Sequence, residues 1–163
     1  AENVLYSGTI GAAMEAALQG LPAIALSQYY GPGNLARPDP FEAAAAHGVR
    51  VVRLLLDHAA WDDADYRLFY NVNFPPTGAD GVRGLRVVRQ GFRRGISFGA
   101  EPHLSPSGRT FLWIRGGPQD VPSGEDSDGT VNMEGYISVT PLRADLTAYD
   151  ALAPLTHLED RFG

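Results

Sequence analysis

Ser7, Gly8 and Thr9 stand at the mouth of an alanine-rich segment, 4-VLYSGTIGAAMEAALQGLPAIALS-27. A helix N-terminus carries roughly +0.5 charge and unpaired N–H donors, so three small residues placed there suit a phosphate. Gly8 would let a ligand approach the backbone, and the hydroxyls of Ser7 and Thr9 add donors. The same residues make an ordinary helix cap equally well. No GxxxxGK(S/T) run occurs anywhere, so the segment is not a P-loop.

Other chemistry-bearing groups are sparser. Glu125, Asp126 and Asp128 form an acidic turn without the ligand spacing or distal Glu of an EF-hand, and read as a solvated turn. The histidines at 47, 58, 103 and 157 are scattered, with no HExxH pairing, so no zinc site is legible. A GxSxG elbow and a cysteine nucleophile are both absent, leaving acyl transfer unsupported. Arg83, Arg86, Arg89, Arg93 and Arg94 crowd into twelve residues, either as a solvent-exposed, partly paired face or as an anion-binding patch. Tyr29, Tyr30, Phe92, Phe98 and Trp113 could stack on a base if they line a cleft, although packing is the commoner use of aromatics.

The elements that must position these groups follow from periodicity. Ile10, Met14 and Leu18, with Ala13 and Ala17, predict a helix over 9–19, capped by Ser7 or Thr9 and stopped by Gly20. A short buried strand, 22-PAIALS-27, follows it, as in an α/β layer. A Gly/Pro-rich loop covers 28–38. Asp39 and Pro40 then open a helix extended to about residue 58; a break at Gly48 followed by a strand is the competing reading. Strands are predicted at 67–75, 84–90, 109–116 and 136–142, with a turn-rich loop at 116–129 and a final helix at 150–162 around Pro154. Hairpin-rich excursions such as 92–135 often serve as oligomerisation arms. The expected division is therefore 1–91 as α/β domain, 92–135 as hairpin and loop extension, and 136–163 as final strand and helix.

The 163 residues suit one domain with a real core, and 44% hydrophobic with 20% charged residues fits a globular chain. No apolar run of about 18 residues predicts a membrane span. All 13 basic residues are Arg, which fits codon bias, and the net charge of −6 is unlike that of a dedicated nucleic-acid binder. Absence of Cys fits a reducing compartment. The chain opens at Ala1 and runs almost at once into a capped helix, so its natural N-terminus is expected upstream.

Three segments, 6-YSGTIGAAMEAALQGLPAIALS-27, 71-NVNFP-75 and 127-SDGTVNMEGYISVTPLRADLT-147, together resemble the SurE family of 5′/3′-nucleotidases. The stretches 84-GLRVVRQG-91 and 108-GRTFLWIRGGP-118 suit the family pattern in the same order. The resemblance implies a Rossmann-like, three-layer α/β/α fold with a C-terminal hairpin extension exchanged between subunits of a homodimer or homotetramer. It implies a cytoplasmic, metal-dependent phosphomonoesterase acting on nucleoside monophosphates, with Ser7, Gly8 and Thr9 at the substrate phosphate. The family's Asn-Asp-Asp-Gly motif, a further Ser and the SGxNxGxN segment, which hold the divalent ion (Mg²⁺ or Mn²⁺), are not in this chain and are expected upstream of Ala1 with the first strands. Asn3 lies too close to Ser7 to stand for either family Asn. The alternative is a catalytically incomplete module of the same fold, serving oligomerisation or binding polyphosphate or nucleic acid through Arg83–Arg94. The charge of −6 weighs against nucleic acid.

Overall fold

A computed structural model describes residues 1–62, 65–96 and 99–162. A single turn of 3-10 helix, Glu2–Tyr6, leads into α1 (Gly8–Leu18). Ser7 is its cap, its Oγ accepting from the Ile10 amide at 3.2 Å, and Gly20, at φ +83°, turns the chain out. Ile10, Ala13 and Ala17 form the buried face of α1. Their small size lets the helix lie close on β1 (Ala23–Gln28), where Ala23 and Ala25 meet it.

After the loop at 29–41, α2 spans Glu42–His58 without a break at Gly48. Ala43, Ala44, Val51 and Leu55 return at helical spacing to one face and pack on the sheet, which settles the helix against the competing strand. The strands that follow are β2 (Phe69–Phe74) and β3 (Gly84–Val87), the latter continued only by a single bridge from Arg89 to Ser127. Then come β4 (Gly99–Leu104) and β5 (Thr110–Arg115), followed by α3 (Asp128–Met133) and β6 (Tyr136–Leu142). The chain closes with α4 (Tyr149–Leu155), which carries Pro154, and a 3-10 stretch, Thr156–Arg161.

The main sheet has the order β1-β2-β6-β3, with β1 parallel to β2, and β6 antiparallel to β2 but parallel to β3. The last strand thus returns to a central place beside β2. Along β2, Tyr70, Val72 and Phe74 face α2, together with Ile137 and Val139 of β6. Phe69 faces α1 on the opposite side. With α3 packed on β6 and β2, the result is a helix–sheet–helix sandwich. β4 and β5 pair antiparallel as a separate hairpin.

Two elements escaped the periodicity. β4 carries Gly99 and Pro102, which read as punctuation, and its backbone is organised by pairing with β5 alone. α3 is a single short turn among Gly and Ser residues, stabilised by its packing on β6 rather than by propensity.

Candidate functional site

The carboxyl ends of β1 and β2 open into a cavity of about 280 Å³. Ser7 and Ile10 of α1 line one side, Ser27 to Tyr30 the end of β1, and Asn71 and Asn73 the floor. Asn132 and Met133 of α3 and Arg93 with Gln119 from the loops complete the wall. Because side chains alternate along a strand, Ser27 continues the α1-facing row of Ala23 and Ala25, and Asn71 and Asn73 continue that of Phe69.

Of the three residues expected to meet phosphate, Ser7 lies on the cavity wall, whereas Gly8 and Thr9 are exposed beside it and outside its lining. The Ile10 amide is taken by Ser7 Oγ and the Gly11 amide by Ser7 O at 2.9 Å. That leaves the Gly8 and Thr9 amides, which have no intrahelical partner, at the helix mouth. Cap and anion cradle are therefore compatible roles of one hydroxyl.

Several contacts hold the cavity in shape. Asn34 is fully buried and ties the 29–40 loop together: its Oδ1 accepts from the Gly31 amide at 3.0 Å, and its Nδ2 donates to Tyr29 O at 2.6 Å and Pro40 O at 2.9 Å. This fixes Tyr29 and Tyr30 at the cavity rim, and Tyr30 stacks on Phe41 with ring centroids 5.9 Å apart. Burial, and then the charge of Asp120, push the Tyr29 phenol above its ordinary pKa. Asp128 is 2% exposed, with Oδ1 accepting from the Gly91 and Gly129 amides at 2.9 and 2.7 Å and Oδ2 from the backbone nitrogen of Ala1 at 2.6 Å. A side chain at Gly91 would run into Ser123, so this crossing needs glycine. Arg93, 4% exposed, donates through Nε to Glu2 Oε1 at 3.0 Å and through Nη1 to Gln119 Oε1, while its amide bonds Glu2 Oε2 at 3.0 Å.

The arginines do not form one patch. Arg83 and Arg86 lie over the Tyr136 ring at 4.8 and 4.2 Å, Arg89 donates to Glu125 O, Arg93 is buried with Glu2, and Arg94 is exposed. Among the aromatics, Tyr29 and Tyr30 reach the cavity and Phe92 and Trp113 do not; Phe98 lies outside the described residues. The acidic turn splits similarly, Glu125 and Asp126 being exposed and Asp128 buried.

Among the described residues no group of three or more His, Cys, Asp or Glu side chains could hold a metal ion. Asp128, the carboxylate on the cavity wall, already accepts three N–H bonds. The donor set of this chain by itself therefore does not fit a divalent ion. Asn71, Asn73 and Asn132 are the site residues that sequence reasoning left without a role. Their one local signal was an asparagine pair in an otherwise apolar strand, a residue type disfavoured there.

Parallel strands that open at their carboxyl ends into a polar cavity beside a helix N-terminus define a Rossmann-like α/β protein with a cavity where such sheets place their ligand sites. The family pattern described as "Survival protein SurE" matches residues 1–96. The chain belongs to the SurE family. It is 68% identical over 158 residues to a protein named 5′-nucleotidase SurE from Cereibacter sphaeroides, covering 97% of this chain and 60% of the relative. It is 65% identical over 155 residues to a protein of the same name from Roseobacter denitrificans, covering 95% and 59%. The crystal structure of the SurE protein from Aquifex aeolicus superposes with a TM-score of 0.71 at 32% identity, covering 98% of this chain and 60% of that one. The chain thus spans about 60% of the length of the curated relatives it matches.

Proposed function

We propose that the protein carrying this chain is a phosphomonoesterase that hydrolyses nucleoside 5′/3′-monophosphates to nucleoside and phosphate. The observation that carries the reading is Ser7 on the wall of the cavity at the strand ends, with the helix amides of Gly8 and Thr9 beside it. The names of the relatives, 5′-nucleotidase SurE, point the same way. In this reading Ser7, Gly8 and Thr9 bind the substrate phosphoryl group, and preorganised N–H and O–H donors stabilise charge on its oxygens during transfer. Dependence on Mg²⁺ or Mn²⁺, with ligands upstream of Ala1, and a cytoplasmic setting complete the proposal. Assembly into a homodimer or homotetramer through the 92–135 extension belongs to it as well. Its support is a hairpin whose Leu112, Trp113 and Ile114 are 66%, 58% and 66% exposed.

The test compares the 163-residue chain with the same chain joined to the upstream segment its relatives possess. Hydrolysis of AMP and p-nitrophenyl phosphate is followed with and without added Mn²⁺ or Mg²⁺. The longer protein is expected to turn over both in a metal-dependent way, and the 163-residue chain neither. No turnover by the longer protein overturns the phosphatase reading; robust turnover by the short chain overturns the division of labour.

A further inference from the structure

Resting on the phosphomonoesterase reading, we propose that Asn71, Asn73 and Asn132 form a carboxamide wall that binds the hydroxyl-bearing sugar of the substrate, opposite the phosphoryl end held at Ser7. The α1-facing side of the sheet changes character partway along. At one end it is apolar, with Ala23, Ala25 and Phe69 under α1 and Leu142 packed alongside. Toward the cavity it becomes Ser27, Asn71 and Asn73, with Thr140 registered against Asn71 and Ser138 against Asn73 on β6. Asn71, Asn132, Ser138 and Thr140 are 5%, 4%, 0% and 2% exposed, so a polar layer occupies a position where apolar side chains would stabilise the core.

The internal hydrogen bonds of this layer do not use it up. Asn73 Nδ2 donates to Asn71 Oδ1 at 3.2 Å, and Asn132 Nδ2 donates to Asn73 O at 3.0 Å and Tyr136 O at 3.4 Å. These bonds orient the three carboxamides. Among the described residues, Asn71 Nδ2, Asn73 Oδ1 and Asn132 Oδ1 then have no protein partner, and all three side chains line the cavity. Behind them Ser138 Oγ and Thr140 Oγ1 are buried with none either. Ser138 Oγ and Thr140 Oγ1, sealed without partners, cost stability, whereas the three carboxamide atoms open onto the cavity and stay free for a ligand. The unused N–H groups of Asn71 Nδ2 and the two spare carbonyl oxygens suit sugar hydroxyls, each of which donates and accepts. A nitrophenyl ring carries no hydroxyl to meet the spare carbonyl oxygens.

The test uses the full-length protein and compares kcat/KM for AMP and for p-nitrophenyl phosphate in the wild type, N71L and N71S. The AMP to p-nitrophenyl phosphate ratio is expected to fall about tenfold in the variants, the size of a lost neutral hydrogen bond in a shaped site. Thermal unfolding is read alongside, and the melting temperature is expected to change little, since Asn73 Nδ2 can turn to cavity water. If N71L does not fold, N71S, which removes the amide without adding bulk, carries the same comparison. A ratio that stays constant or rises overturns the proposal, whether both activities fall together or neither does. A wild type inactive on both esters instead removes the phosphomonoesterase reading on which this one rests.

Discussion

Ser7 is asked to do two jobs, and substitutions can separate them. Its Oγ caps α1 through the Ile10 amide, and its hydroxyl proton is free to point into the cavity. Replacing a cap Ser by Ala costs about 1 kcal/mol, whereas Gly at the same place costs a few tenths. Ser7→Ala in the full-length protein is therefore expected to lower both the melting temperature and phosphate-ester turnover. Ser7→Gly should leave the melting temperature nearly in place and still reduce kcat/KM by about tenfold to a hundredfold, the range for a lost transition-state donor. Wild-type kinetics in Ser7→Gly would reduce the residue to a cap. A cap at Ser7 or Thr9 was legible in the chain, since a hydroxyl residue ahead of an apolar repeat has a local cause, and the structure assigns it to Ser7. Asn71 and Asn73 were visible as residues but not as wall, because strand alternation assigns a side and not what lies above it.

At the scale of elements, the 3-10 turn before α1 is tied to the loop after β3 by the Glu2–Arg93 pair. Burial opposes ionisation of Glu2, but hydrogen bonds from the Arg93 amide and guanidinium outweigh it and hold the carboxyl below its ordinary pKa. A depressed carboxylate pKa contributes stability that is present above the unfolded value, about 4.3, and lost as pH falls through the lower folded value. The wild-type melting temperature should therefore fall more steeply than that of Glu2→Gln between about pH 5 and about pH 3. Parallel slopes would show that the pair does not fasten these elements. Neither the pair nor α3 could be foreseen from local pattern: Glu2 and Arg93 are far apart in sequence, and a six-residue helix among Gly and Ser has no periodicity to display. Helices α1 and α2, by contrast, repeat their apolar faces over three or more turns.

For the whole molecule the exposed apolar surface is the open matter. Among the described elements the β4–β5 hairpin contacts chiefly itself, and Leu112, Trp113 and Ile114 present apolar area to solvent. Such patches mark interfaces, and buried aromatics carry much of the energy there. Trp113→Glu with Leu112→Glu is expected to shift the full-length protein toward monomer in size-exclusion chromatography with light scattering, while its circular dichroism is retained. An unchanged mass would place the interface elsewhere. The α/β class, a capped α1 and the family were legible in the chain, because each rests on local spacing or on motifs in fixed order, whereas α2 was settled against the competing strand at Gly48 only by its packing on the sheet. Tertiary structure alone decided that β6 lies between β2 and β3, that Arg93 is buried while Arg94 is exposed, and that three asparagines meet Ser7 around one cavity. Those facts depend on contacts between residues far apart in the chain, and periodicity constrains a residue's side but not its distant partner.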